Sequence, residues 1–265
     1  MKRVLVTGGT GVLGRRIVGH LKEQGNTARV MSRRDGAAEG VEWARADLET
    51  GAGLAEAVKG VDVVVHAASK PRNLLQVRNA DVNGTTRLLQ AAKAAGVQHF
   101  VYISIVGIEQ VPYFYYRIKL EAEQLIKNSG LPWSILRATQ FFNFPVDLLF
   151  KPAKGLPFML LLPDVPLQPV DAGEVAGRLV QAVGNGPKGM LRDFAGPQVL
   201  SLGQMARGWL EAQHLNKPIW HLPAVGSTLR AVGQGHLTNP QAEQGRVTWE
   251  EWLNRTYKNA PGRAT

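Results

Sequence analysis

The 265-residue chain contains no cysteine, which excludes disulfides, thiolate-bound metal and a cysteine nucleophile and allows a reducing compartment. Long apolar runs are also missing. The most apolar late run, Phe158 to Leu162, is closed by Pro157 and Pro163, far short of the ~18 residues that a membrane span needs. Met1-Lys2-Arg3 leads straight into the short run Val4 to Val6, which lacks the form of a signal peptide, so the protein is expected to start here and to be cytoplasmic. The six histidines show no metal-ligand spacing, and no Gly-x-Ser-x-Gly hydrolase turn occurs, so neither a metal site nor a serine-hydrolase nucleophile is expected. Runs of one charge are absent too. Lysines and arginines spread from Lys2 to Arg263 in nothing longer than a pair, so the net charge of +10 reads as a solvated basic surface. Nucleic acid and membrane are not expected as partners. A small-molecule substrate is, in a monomer or homodimer.

What is present is a regular alternation. At 45% hydrophobic content the length suits one compact unit with a full core. Lys2 to Val6 reads as a buried strand, and Val12 to Gln24 carries Val12, Leu13, Ile17, Val18 and Leu21 at helical spacing. Further strands are expected at Ala28 to Met31, Val41 to Ala46, Val61 to His66, His99 to Ser104 and Trp133 to Arg137. The intervening helices are expected at Leu54 to Lys59, Asp81 to Ala95 and Tyr113 to Asn128. This order implies an α/β fold with a doubly wound parallel sheet, a Rossmann fold. After Ala138 six prolines between Pro145 and Pro169 break the regularity, as in a substrate-covering region. The division is therefore a dinucleotide-binding core over 1–140 and a small mixed carboxy-terminal region over 141–265. Part of that region, a helix from Asp171 to Val183, packs back on the core.

The strand-to-helix junction reads Val4-Leu5-Val6-Thr7-Gly8-Gly9-Thr10-Gly11-Val12-Leu13-Gly14. Glycine at 8 permits a sharp turn, at 11 a close approach of backbone to a pyrophosphate, and at 14 tight packing of helix on strand. The free amides at the helix start attract the negative charge. Thr-Gly-Gly-Thr-Gly-x-Leu-Gly resembles the cofactor motif of extended and atypical short-chain dehydrogenases/reductases, above all the NmrA-like group. The resemblance continues in Asp47-Leu48, where the family's aspartate contacts adenine, and in His66-Ala67-Ala68, a cofactor-facing strand end. It extends through Asp81-Val82-Asn83-Gly84-Thr85 and the helix after it, and again in Gln168-Pro169-Val170-Asp171. Extended members commonly carry asparagine where Asp81 stands, so that role is not carried over. The resemblance implies a dinucleotide held by Gly8, Thr10, Gly11, Val12, Leu13, Gly14, Asp47, Leu48, Ala67 and Ala68, with Thr139 at the exit of the sixth strand. The second strand ends in Ser32-Arg33-Arg34 instead of an acid that would bind a ribose hydroxyl. Guanidinium groups suit a 2′-phosphate, which favours NADP(H) over NAD(H), although Asp35 keeps NAD(H) as the lesser alternative.

Ser104 ends the fifth strand, and Tyr115-Tyr116-Arg117-Ile118-Lys119 follows in the next helix. Residues four apart share a helix face, so Lys119 can lie beside the Tyr115 phenol and favour its phenolate. In the family a serine holds the carbonyl oxygen, a tyrosine exchanges the proton, and a lysine binds the nicotinamide ribose. By motif these roles fall on Ser104, Tyr115 and Lys119, with Tyr116 and His66 as alternative proton donors. Phe141, Phe142 and Phe144 are candidates for a hydrophobic substrate wall or for core packing. The expected function is NADPH-dependent reduction of a carbonyl, quinone or related conjugated small molecule. The alternatives are an NmrA-like NADP(H) sensor without turnover and a sugar-nucleotide epimerase or dehydratase.

Overall fold

The computed structural model describes residues 1–69, 78–162 and 164–258. Contacts divide it into two units. The first comprises 1–104, 113–137 and 172–192, and the second 105–112, 138–171 and 193–265. A single boundary at 140 would assign 105–112 and 172–192 differently.

In the first unit, β1 (Arg3–Thr7), β2 (Thr27–Ser32), β3 (Val41–Arg45), β4 (Val63–His66), β5 (His99–Ile105) and β6 (Trp133–Ala138) form a sheet in the order β6-β5-β4-β1-β2-β3. The pairings of β1 with β2 and β4, of β2 with β3 and of β4 with β5 are all parallel. Val4, Leu5 and Val6 are wholly inaccessible, and every residue of β4 is buried. This is why these strands read as continuous apolar runs instead of alternating ones. The helices are α1 (Val12–Glu23), α2 (Leu54–Val58), α3 (Gly84–Ala94) and α4 (Phe114–Lys127). Leu13, Ile17 and Leu21 of α1 are buried at four-residue spacing, and α1 packs against the helix Ala172–Asn185. The expected return of the Asp171–Val183 segment to the core is thus present. Ahead of α3 the chain makes a π-helical turn, Asn79–Asn83, which buries Asp81. The helix expected from Asp81 therefore begins two residues earlier and in a wider turn.

In the second unit, the expected irregularity after Ala138 resolves into short elements. Met159–Leu161 pairs in parallel with Ile219–His221, and Pro166–Leu167 pairs antiparallel with Leu200–Ser201. Helices Leu202–Ala212 and Trp249–Leu253 each begin with a capping box, Ser201 with Gln204 and Thr248 with Glu251. Such a cap satisfies amides that a helix start leaves open. Phe142 is a core residue, its ring 5.5 Å from Trp249 and 5.6 Å from Trp252. Of the three phenylalanines, Phe144 is the exposed one. No helix among the described residues is long and apolar enough to cross a membrane.

Candidate active site

The turn between β1 and α1 is shaped by close approach. Gly8 takes a left-handed φ of +68°, and the Gly11 amide donates to its carbonyl oxygen across 2.9 Å. A Cβ on Gly14 would stand 2.1 Å from the Gly8 oxygen, and one on Gly8 would stand 2.8 Å from the Ala67 oxygen. Only glycine fits either place. Gly11 differs: an added Cβ would meet just the Gly8 oxygen, at 3.2 Å. The space in front of Gly11 is free for a ligand. α1 has no side-chain cap and no acid in its first turn, and Thr10, Gly11 and Val12 are exposed. Open amides at a positive helix end without a competing carboxylate fit the diphosphate of a dinucleotide. Gly8, Thr10, Gly11, Val12, Leu13 and Gly14 would hold it there, with Ala67 and Ala68 alongside.

Those two alanines are pinned by a buried hydrogen-bond chain. Thr7 lies opposite His66 in the sheet register. The Thr7 hydroxyl accepts from the amides of Ala67 and Ala68, at 3.2 and 3.1 Å, and sits 2.6 Å from His66 Nδ1. On the other side His66 Nε2 is 3.0 Å from the Thr85 hydroxyl, which donates to the Asp81 carbonyl. With the Thr85 proton committed to Asp81, Nε2 is the donor and Nδ1 accepts from Thr7. Every polar atom of the ring is used. Burial, with Lys119 adding to it, pushes His66 down to about 3. His66 is therefore a neutral strut, and it is withdrawn as an alternative proton donor.

The other expected cofactor contacts are dispersed. Asp47 is half-buried and accepts from the Glu49 amide at 2.7 Å, closing the turn after β3, and Leu48 is buried beside it. Arg33 and Arg34 are exposed after β2. Asp35 lies 3.6 Å from Arg45, which draws the nearby acid toward a different cation. Thr139 belongs to the second unit, where it is buried and accepts from the Gly196 amide at 3.3 Å.

Along α4, Tyr115, Lys119 and Glu123 stand four residues apart on one face. Each meets a different part of the fold. Glu123 is wholly buried and takes a two-pronged hydrogen bond from Arg137, with both contacts 2.9 Å long. Arg137 and the Ser104 hydroxyl hold its carboxyl below the usual range against the opposing effect of burial. Lys119 is only 4% exposed. Its ammonium donates to the Ile103 carbonyl at 2.8 Å and sits 4.1 Å from the centre of the Tyr102 ring. Burial pushes Lys119 down to about 8, while the carboxylates of Asp81 and Glu123 pull it upward. The Tyr115 hydroxyl is 2.8 Å from the hydroxyl of Ser69.

The expected arrangement is therefore corrected in two respects. Ser104 lies beside Glu123 without closing a hydrogen bond of normal geometry, and Ser69 is the hydroxyl that meets Tyr115. Strand alternation explains the first point. Ser104 shares a face with Phe100 and Tyr102, which belong to the core against α4. Second, the Tyr115 phenol is raised, not lowered: burial is the main cause, Asp81 adds to it, and the Ser69 hydrogen bond works in the opposite direction. The Lys119 ammonium donates to the Ile103 carbonyl instead. Tyr116 is pushed up to about 12 by burial and Tyr113.

With this geometry established, comparison with known proteins decides the family. A model of the NAD(P)H-binding family matches residues 8–150. The chain belongs to that family. The match and the relatives together support an NAD(P)H-dependent oxidoreductase. The chain is 30% identical over 205 residues to the (4-alkanoyl-5-oxo-2,5-dihydrofuran-3-yl)methyl phosphate reductase of Streptomyces griseus, covering 75% of this chain and 69% of that one. It is also 30% identical over 211 residues to the NAD(P)H azoreductase of Xenophilus azovorans, covering 77% and 71%. Among solved structures, the NADPH-dependent quinone oxidoreductase of Escherichia coli superposes with a TM-score of 0.76 at 19% identity, covering 96% of this chain and 99% of that one. The two share a fold.

Proposed function

We propose that this oxidoreductase uses NADPH to reduce a carbonyl, quinone or similarly conjugated small molecule, with Tyr115 as proton donor. One observation carries the reading. The backbone of Ala67 and Ala68 closes on Gly8 of the phosphate turn, and the very next residue, Ser69, is hydrogen-bonded to Tyr115. The dinucleotide cradle and the proton donor are thus joined by three consecutive residues.

NADPH, held at the turn from Gly8 to Gly14 with Ala67 and Ala68 alongside, would supply a hydride to the substrate carbon. Tyr115 gives its phenolic proton to the substrate oxygen, which balances the reduction. Its raised pKa keeps it protonated at working pH, the state that a donor needs. Lys119 adds positive charge beneath the site, and the His66 chain keeps the β4 end at its spacing from Gly8. Arg33 and Arg34 are exposed with Asp35 turned to Arg45, which favours a 2′-phosphate and hence NADPH. The relatives named as a reductase and an azoreductase support turnover. The position of Ser104 beside Glu123, away from Tyr115, favours the second reading, an NADP(H) sensor that does not turn over.

Absorbance at the NADPH band separates the two. Oxidation of NADPH with some member of a panel of aldehydes, ketones, quinones and azo compounds is expected. NADPH binding without oxidation across the whole panel would replace the reductase reading with the sensor.

A further inference from the structure

The family pattern places a serine at the end of β5, yet here the hydroxyl that meets the tyrosine comes from the segment that follows β4. We propose that Ser69 is the positioning residue for proton transfer, holding the Tyr115 phenol and donating a hydrogen bond to its oxygen as the proton leaves. This rests on the reading of Tyr115 as proton donor.

Three observations converge. The hydroxyl oxygens are 2.8 Å apart, and Ser69 is half-buried. Ser69 also follows a fixed stretch, because the amides of Ala67 and Ala68 are tied to the Thr7 hydroxyl and their backbone lies against Gly8. A serine at a loose loop end would have no such anchor. Finally, the ionisable neighbours of Tyr115 do not help it lose a proton. Asp81, Tyr113 and Tyr116 all disfavour the phenolate, and the Ser69 hydroxyl favours it. Lys119, the family's choice for this task, is directed at the Ile103 carbonyl and the Tyr102 ring.

The chemistry follows directly. When Ser69 donates to the phenol oxygen, the Tyr115 proton is left free to point at the substrate. As the Tyr115 O–H bond breaks, the proton goes to the substrate oxygen, whose carbon takes the hydride of NAD(P)H. The phenolate that remains keeps the Ser69 hydrogen bond until water reprotonates it. A hydrogen bond to a charged partner is worth more than one to a neutral partner, so Ser69 acts more strongly on the transition state than on the resting enzyme.

The test compares Ser69→Ala, Ser69→Thr, Tyr115→Phe and the double variant Ser69→Ala/Tyr115→Phe. The substrate is whichever panel compound the unmodified enzyme turns over. Ser69→Ala is expected to lower kcat by about tenfold or more while leaving NADPH affinity, read by fluorescence titration, nearly unchanged. Ser69→Thr keeps the hydroxyl and should restore most of the rate. In the Tyr115→Phe background, adding Ser69→Ala should cost almost nothing, because the two residues act through one bond. In protein labelled with 13C at the tyrosine Cζ, the Tyr115 resonance should move in Ser69→Ala and return in Ser69→Thr. Unchanged kcat in Ser69→Ala, a full loss on top of Tyr115→Phe, or a Tyr115 resonance indifferent to Ser69 would each overturn the assignment while leaving Tyr115 as donor. Normal turnover by Tyr115→Phe would remove the donor itself, and the role of Ser69 with it.

Discussion

At the turn between β1 and α1 the chain works by withholding side chains, whereas along α4 it works by spending them. Gly8 and Gly14 leave no room for a Cβ, and Gly11 leaves room that a ligand needs. Tyr115, Lys119 and Glu123 instead place three polar groups on one helix face, each satisfied by a different neighbour. The first region is governed by sterics and the backbone field, so any added atom should matter. The second is governed by hydrogen bonding and burial, so an isosteric change that removes a single proton should matter.

The largest effect belongs to the turn. Gly14→Val drives a branched side chain into the Gly8 carbonyl, and it should destabilise the protein by more than about 4 kcal/mol or prevent folding, as read by urea denaturation. Gly11→Val should leave the unfolding midpoint close to normal and abolish NADPH binding. If both variants fold and only Gly14→Val loses NADPH, the cradle has been assigned to the wrong glycine.

Next in size is the choice of dinucleotide. Loss of a charge-assisted contact in Arg33→Ala should weaken NADPH by ~1–3 kcal/mol and barely alter NADH. Equal losses for both in calorimetric titration would mean that Arg33 is an ordinary surface charge.

The smallest effect tests the strut that separates the two regions. The folded protein keeps His66 neutral down to about 3, while the unfolded chain protonates it near the ordinary value of 6.5. Between these values the unfolded state binds more protons, so the contribution of His66 to stability is complete above 6.5 and declines as pH falls. From pH 7 to 5.5 that decline should be about 1 kcal/mol, and it should be missing from His66→Gln. The same pH dependence in both proteins would show that His66 is not held neutral.

Much of the first region was legible in the sequence because its signals are local. A buried strand, three glycines and a helix with Leu13, Ile17 and Leu21 in register occupy one continuous stretch, and nothing distant is needed to interpret them. The Tyr115 and Lys119 face was legible for the same reason, since four-residue spacing is a property of the helix alone. The partners of that face were not. Ser69 lies 46 residues from Tyr115 in the chain, and no periodicity connects them. The one available hint was a hydroxyl immediately after Ala67-Ala68, the stretch already assigned to the cofactor. Nothing in the sequence pairs Glu123 with Arg137, on a neighbouring strand, which holds the buried carboxylate. The orientation of Ser104 could have been inferred, because alternation along β5 puts it on the side of Phe100 and Tyr102. The second unit was the least legible. Its strands of two or three residues, such as Phe194–Ala195 beside Glu243–Gln244, are too short to carry a pattern and exist through pairings distant in sequence.

The central claim is that a neutral Tyr115 delivers the proton that completes hydride reduction. Tyr115→Phe removes the donor while keeping ring and packing, so the direct measurement is single-turnover oxidation of bound NADPH by this variant and by Tyr116→Phe. The account predicts that Tyr115→Phe slows this step by ~10²–10⁴-fold at nearly unchanged NADPH affinity, with Tyr116→Phe close to normal. Near-normal turnover in Tyr115→Phe, or loss confined to Tyr116→Phe, would contradict it.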